Sequence, residues 1–473
     1  MELFGREREQ KQLQLSVNSG KPELIAVYGR KRVGKTYLVR QFFNDKFDFY
    51  ITGIYEGTKE EQLLNFQKQL NHYADAAFPV VNNWFDAFDQ LKTYLQHLRK
   101  KHIVVFIDEM PWLDTQKSRF LKAFELFWNS WGAVQANLKF IVCGSATTWM
   151  INKMIGDKGG LHNRITRNIH LSPFNLYETE VYLSQRKIKF SRQQITECYM
   201  ILGGIPYYLD LLEADRSLSQ NVDNLFFHKD ALMKNEYEFL IRSLFSEAVL
   251  YRRVIELISK KNKGLTQKEI KEHLLLPDSG KLTEVLNNLV ACDMVNRYSA
   301  FGKQNRNSIY QLSDPFIHFY LSFGRNYNGK DEHLWTNMLD NPARTAWSGY
   351  AFESVCLLHL NQIKQRLGIS GILTETCSWI SDDKFSHQQI DLVIDRRDQV
   401  VNLCEIKFSK VRYELTRKYV EHMQERLELF RKKTGTRKAL HITMITTLGL
   451  ADNEYAGEVQ NTVVLDDLFV PSM

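Results

Sequence analysis

The chain has 473 residues, 44% of them hydrophobic and 12% aromatic, with a formal net charge of +7. That length predicts about three domains with ordinary apolar cores. No apolar run approaches the ~18–20 residues of a membrane-spanning helix, and six scattered cysteines without a CxxC pair argue against a disulfide framework or a zinc site. The charged opening MELFGREREQ predicts no signal peptide, so the expectation is a cytoplasmic protein with no membrane partner.

The first informative element is ELIAVYGRKRVGKTYLVRQF (23–42). An apolar strand leads into Gly29, Arg30, Lys31, Arg32, Val33, Gly34, Lys35 and Thr36, and a helical pattern follows from Tyr37. This is G-x-x-x-x-G-K-T between strand and helix, the pattern of a phosphate-binding loop. Its glycines let backbone N–H groups face a β-phosphate, and the new helix adds its positive end. Lys35 reaches β- and γ-phosphates, and the Thr36 hydroxyl can ligate Mg²⁺.

HIVVFIDEMPWL (102–113) reads as a buried parallel strand ending in Asp108 and Glu109. Acids at the carboxyl end of such a strand stand where an open α/β sheet keeps its site. Asp108 is expected to hold Mg²⁺ through water and Glu109 to polarise the attacking water. KFIVCGSATTWM (139–150) gives a third strand, with Ser145 at its end to sense a γ-phosphate. Arg164 and Arg167 then precede another apolar strand and are alternatives for an arginine contact to phosphate.

The order FGRERE, GRKRVGKT, FIDE, CGS, NRITR, LSPF and GGIPYYL resembles the archaeal-type ATPases of the AAA+/STAND branch, from the N-terminus to about residue 235. The resemblance implies ATP as the cofactor together with Mg²⁺, and places Arg6 near the adenine. Gly204 and Pro206 resemble the family's motif in the helical lid.

From about residue 247 the pattern changes. EAVLYRRVIELISKKNKG is helical, Thr266 caps a second helix, KLTEVLNNLVACDMV makes a third, and residues 296–314 read as a two-stranded wing with Gly302 near its tip. This is the order of a winged helix. Residues 251–312 hold 11 Lys/Arg against 6 Asp/Glu. Arg297, Lys303 and Arg306 are candidate phosphate contacts, but the third helix offers only Lys281, so DNA binding and a packing module both stand.

Near the end, a helix carries Glu353 among apolar residues, and IDLVIDRRDQVVNLCEIKFSK (390–410) follows as two strands. Glu405 and Lys407, two apart, share a face. Asp391 on the neighbouring strand is expected to face them. Asp391 and Glu405, assisted by Glu353, would then bind a divalent cation, with Lys407 beside the attacking water. Mutual pairing of these charges is the alternative. The set Glu353, Asp391 and Glu-x-Lys at 405–407 resembles the PD-(D/E)xK nuclease superfamily, with Gln389 and Ile390 before Asp391 where the motif's name has a proline.

The expected architecture is therefore α/β: a P-loop parallel sheet (1–170) with a helical lid (171–240), then a winged helix (241–312), then a mixed α/β restriction-endonuclease-like domain (313–473). The expected activity is ATP hydrolysis, coupled either to a nuclease acting on nucleic acid, DNA favoured, or to non-nucleolytic binding of DNA or protein. A homo-oligomer is compatible with both.

Overall fold

Short β-branched and aliphatic runs make the first sheet. In the computed structural model, β1 (Glu23–Tyr28), β2 (Phe49–Thr52), β3 (Ile103–Asp108), β4 (Leu138–Gly144) and β5 (Arg167–His170) pair in the order β2-β3-β4-β1-β5. All neighbours are parallel. The structure describes residues 3–156, 160–161, 163–245, 247–277, 280–299, 301, 308–381 and 388–471.

Strand alternation decides what each face of this sheet buries. Leu24 and Ala26, Ile103, Val105 and Ile107, and Leu138, Phe140 and Val142 all turn to one side. There they meet an aromatic layer from the helices Lys59–Ala74, Trp84–His97 and Phe120–Ser130, including Phe66, Trp84, Phe88, Phe120 and Phe124. Burying such rings dominates the energetics of a core. Parallel strands with both faces covered put every strand's carboxyl end on one edge, and the motif residues lie along that edge.

The chain divides after Ser172 into two compact units. The second unit begins with helices. Within it the LSPF and GGIP motifs meet, because the Phe174 N–H donates to the Gly204 carbonyl at 2.8 Å and Pro206 opens the helix Pro206–Leu209. Further along, the helix Ala248–Ser259 leads to β6 (Leu265–Thr266), the helices Gln267–Leu274 and Lys281–Ala291, and β7 (Val295–Ser299) with β8 (Ser308–Leu312). The Thr266 cap forms as expected, closed by Glu269 into a capping box. Gly302, Lys303 and Arg306 lie outside the described residues.

The last sheet is mixed. β9 (Thr374–Ile380), β10 (Gln389–Arg396), β11 (Val400–Lys407), β12 (Ala439–Thr446) and β13 (Asn461–Val464) pair in the order β13-β12-β11-β10-β9. β10 is antiparallel to both neighbours, while β11, β12 and β13 run parallel. The helix Arg417–Thr434 covers one face through Val420, Met423 and Phe430, and the helix Pro342–Leu358 packs on β11. Among the described residues, no helix is long and apolar enough to cross a membrane.

Candidate functional sites

The loop after β1 has the shape its sequence demands. Gly29 sits at φ 147°, and a Cβ there would meet the Leu171 carbonyl oxygen at 2.3 Å, so only glycine fits. Gly34, at φ 90°, is the N-cap of the helix Lys35–Phe42. Lys35 is buried, and its Nζ donates to the Arg30 carbonyl at 2.8 Å. Arg30, Lys31, Arg32 and Val33 form the arch between the glycines. Arg6 is buried against it, its Nη2 donating to the Val33 carbonyl at 3.3 Å. The structure thus brings Arg6 to the loop itself. Tyr37 is partly exposed on the first turn of the helix.

Strand order brings the acids in. The Thr36 hydroxyl donates to Asp108 Oδ2 at 2.8 Å. Burial pushes the Asp108 carboxyl above its usual range, with the Thr36 hydrogen bond opposing and the Glu109 charge adding to the shift. A hydroxyl and a carboxylate side by side are the hard oxygen donors that Mg²⁺ prefers, so these residues fit the metal. Glu109 stands at φ 46°, a left-handed conformation uncommon outside glycine. Its Oε2 accepts from both the Ser145 N–H, at 3.0 Å, and the Ser145 hydroxyl, at 2.8 Å. The sequence placed Ser145 near the phosphates; its grip on Glu109 was not foreseen.

Arg164 and Arg167 stand apart from this group. β5 runs parallel to β1 with Arg167 level with Ile25, and Arg164 lies further toward the amino end. The loop leaves β1 at its other end. The strand from Ile25 to Gly29 spans roughly 13 Å. Both arginines are exposed, and neither is brought to the loop of its own chain.

The acids of the last sheet are arranged differently from the expectation. β10 pairs with β11 with Leu392 opposite Cys404, but its register with β9 slips between Ile390 and Val393. Such a bulge breaks the alternation and re-aims a side chain, here Asp391. Asp391 lines a cavity of about 220 Å³ together with Lys263, Arg297, Glu353, Ser378 and Ile406. Lys263 Nζ lies 2.9 Å from Asp391 Oδ1 and 3.0 Å from Glu353 Oε2. Asp391 Oδ2 accepts the Ile406 N–H at 3.2 Å. Glu405 lines another, much smaller cavity with Leu403, Met423 and Arg426. Its carboxylate is paired with Arg426, accepts from the Tyr419 hydroxyl at 3.2 Å, and has Lys407 Nζ at 3.5 Å.

As folded, Asp391 and Glu405 therefore do not converge on one point. The bulge separates them, and each has its own internal cation. Among the described residues, no three His, Cys, Asp or Glu side chains gather to hold a metal ion. As folded, these acids do not fit one. Their protonation follows the pairing. Burial and the neighbouring Asp391 charge push the Glu353 carboxyl up. Burial also acts against ionised Asp391, but Lys263, Lys407 and the Ile406 N–H hold it below the usual carboxylate range. Burial disfavours the Lys263 ammonium, yet the two carboxylates keep it above its ordinary value.

The segment read as either a DNA-binding or a packing module is turned to this same sheet. β7 lies beside β9, the Tyr298 hydroxyl donates to the Lys263 carbonyl at 2.7 Å, and the Phe301 ring packs edge-on to Phe430 at 4.9 Å. Lys281 is paired with Glu247 at 2.8 Å and lies 3.7 Å from Glu284. Arg297 donates to the Ser308 hydroxyl at 3.0 Å. Neither Lys263 nor Arg426 was singled out from sequence. Nothing in KKNKG marks Lys263. Arg426 did leave a signal, since it falls in the inward stripe Tyr419, Met423, Arg426, Phe430 of its helix.

Residues 3–212 match the family described as an ATPase domain predominantly from Archaea. An uncharacterised protein of Methanocaldococcus jannaschii is 25% identical over 366 residues, covering 76% of this chain and 78% of that protein. Among solved structures, a Walker-type ATPase of Pyrococcus abyssi is 19% identical, with a TM-score of 0.49, covering 68% of this chain and 96% of that one. The Aeropyrum pernix ORC2 protein in its ADPNP–ADP complexes is 15% identical, with a TM-score of 0.41, covering 73% of this chain and 96% of that one. The N-terminal part of the chain is an archaeal-type ATPase domain on a parallel five-stranded sheet.

Proposed function

We propose that the chain is a Mg²⁺-dependent ATP-hydrolysing switch whose second unit carries a winged-helix segment docked on a nuclease-like sheet. One observation carries the ATPase part: Thr36 and Asp108 are in contact beneath the loop while Glu109 is held by Ser145. ATP with Mg²⁺ would supply the phosphoryl group and the charge that stabilises its transfer. Lys35 exchanges the Arg30 carbonyl for phosphate oxygens. Thr36 and Asp108 would hold the metal, Glu109 would orient and deprotonate the attacking water, and Ser145 would fix Glu109. An arginine contact from Arg164 or Arg167 is best supplied by a second copy of the chain, because Arg167 is level with Ile25 and Arg164 lies beyond it, away from the loop; a homo-oligomer is the arrangement this favours.

The mixed sheet with Glu353, Asp391, Glu405 and Lys407 near its strand ends supports a nuclease-like module acting on nucleic acid, with DNA favoured. The internal pairing of each acid favours a second reading, a non-nucleolytic regulator with the same fold. The pairing of Lys281 with Glu247 and the hydrogen bond of Arg297 to Ser308 support a packing role for the winged helix. The test is phosphate release by wild type, Lys35→Ala and Glu109→Gln proteins, together with incubation of the wild type with plasmid, linear and single-stranded DNA, with Mg²⁺ or Mn²⁺ and with or without ATP. ATP hydrolysis that survives Lys35→Ala overturns the switch. Absence of cleavage under every condition leaves the regulator.

A further inference from the structure

Ser145 holds the side chain of Glu109, and the Glu109 backbone has a separate support. Glu109 opens the short helix Met110–Leu113 from the left-handed region, and its carbonyl accepts the Trp112 N–H at 3.0 Å. A left-handed residue other than glycine persists where its surroundings over-determine it. The segment after β2 supplies those surroundings. The Gly53 N–H donates to the Asp108 carbonyl at 2.9 Å. A Cβ on Gly53 would meet the Glu109 carbonyl oxygen at 2.6 Å, so the two backbones lie against each other. Gln62, on the helix Lys59–Ala74, ties them together and is fully buried. Its Nε2 donates to the Ile54 carbonyl at 2.7 Å and to the Trp112 carbonyl at 3.1 Å, while its Oε1 accepts the Ile54 N–H at 3.0 Å. A side-chain amide has two N–H donors and one carbonyl, and all three are used here. Gly57 makes the room, since a Cβ there would stand 2.7 Å from Gln62 Nε2. The Tyr55 ring packs edge-on to Trp112 at 5.3 Å and adds a second contact between the same two segments.

We propose that Gln62 is a positioning residue for ATP hydrolysis: by binding Ile54 and Trp112 at once, it fixes the turn that carries Glu109 and so sets where the Glu109 carboxylate stands. The proposal rests on the reading of Glu109 as the base. The turn has little hold of its own, being four residues long with Pro111, which lacks an N–H, at its start. All three hydrogen bonds of Gln62 go to backbone groups outside the phosphate loop, so its removal takes no contact from the nucleotide. A reacting group displaced by ~1 Å can cost about 10²-fold in rate. Removing the amide also deprives three backbone groups of this partner, which destabilises the first unit whatever Glu109 does. Loss of stability would follow from a purely structural role as well, so the test must be kinetic.

The experiment uses the full chain at a temperature where melting curves show every variant folded. Phosphate release with Mg²⁺, KM for ATP and affinity for a fluorescent ATP analogue are measured for wild type, Gln62→Leu, Glu109→Gln and the double variant. Gln62→Leu should lower kcat about tenfold or more, with KM and analogue affinity unchanged. In the Glu109→Gln background the same change should lower turnover no further, because it acts through the group already removed. Should Gln62→Leu fail to fold, Gly57→Ala takes its place, alone and with Glu109→Gln. It keeps the amide and crowds it with a methyl group, and the same pattern is expected at smaller size. Wild-type turnover by the folded variant overturns the proposal and leaves Glu109 as the base. An equal fold loss in both backgrounds overturns it too and makes Gln62 a structural residue only. Wild-type turnover by Glu109→Gln overturns the base reading and this proposal with it, and that single variant reports the failure separately.

Discussion

The phosphate loop and the carboxylate pair handle charge in opposite ways. At the loop, the cation Lys35 is held by a neutral carbonyl, and the acids Asp108 and Glu109 are held by the hydroxyls of Thr36 and Ser145. At the last sheet, Asp391 and Glu353 hold Lys263, and Glu405 holds Arg426. Neutral dipoles orient a charged group without cancelling it, so a ligand can exchange with them at small cost. An ion pair must first be broken, which costs several kcal/mol when it is buried. The first cluster keeps its charges on neutral dipoles, and the second keeps its charges in ion pairs.

The largest effects test the first half of that contrast. Lys35→Ala should lower ATP hydrolysis by ~10³-fold or more, because the charge developing on the phosphates loses its cation. Glu109→Gln should lower turnover by about 10²–10⁴-fold, the range for a general base, and leave ATP binding intact. Phosphate release and binding of a fluorescent ATP analogue check both. A Glu109→Gln protein that turns over like wild type removes Glu109 from the role of base.

The second half predicts a stability effect instead. Arg426→Met leaves buried Glu405 with only the half-exposed Lys407 at 3.5 Å, and unfolding of the second unit should become easier by up to about 3 kcal/mol. Lys35→Ala strands no buried carboxylate and should cost far less. Denaturant melts of the two proteins make the comparison directly. Equal losses would mean that the two sites are not organised by different kinds of partner.

That contrast also explains what the sequence revealed. The loop was legible because its parts are local or sit at the ends of obvious apolar strands: Gly29 to Thr36 is one continuous stretch, and Asp108 ends a run of five buried residues. The strands carrying Asp391 and Glu405 were legible for the same reason. Their charge partners were not. Lys263 comes from a turn with no pattern, and the bulge that redirects Asp391 arises from pairing with β9, which alternation along β10 alone does not encode. A two-residue periodicity predicts a face only while the register is unbroken. Where Arg164 and Arg167 stand relative to the loop was not legible either, since the direction and register of β5 decide it.

A buried histidine sharpens the picture of the second unit. His359 is fully buried, its Nδ1 donating to the Val355 carbonyl at 2.7 Å and its Nε2 accepting the Leu176 N–H at 2.9 Å. Both nitrogens are used by the neutral ring, and burial lowers its pKa from 6.5 to about 4. Below pH 6.5 the unfolded chain takes up a proton that the folded chain refuses until about pH 4. Stability should therefore fall as pH drops through that window, by about 3 kcal/mol in all, and change little further from this group below it. The His359→Gln protein should show a shallower loss. Identical pH slopes for the two proteins would remove His359 as the cause.

The smallest effect probes the contact between Ser145 and Glu109 at the loop site. Ser145 holds Glu109 through two donors on a single oxygen, and Glu109 itself rests on a left-handed backbone. Ser145→Ala removes the hydroxyl and keeps the N–H, so half of the grip remains. If the grip positions the base, its loss lets the carboxylate wander from the water it must deprotonate. Turnover should then fall about tenfold, equivalent to ~1.4 kcal/mol in the barrier, with KM for ATP unchanged because no contact to the nucleotide is lost. A rise in turnover would carry the opposite meaning: Ser145 would hold Glu109 away from its task. Steady-state kinetics on the single variant decide between these outcomes, since one model requires kcat to go down and the other requires it to go up.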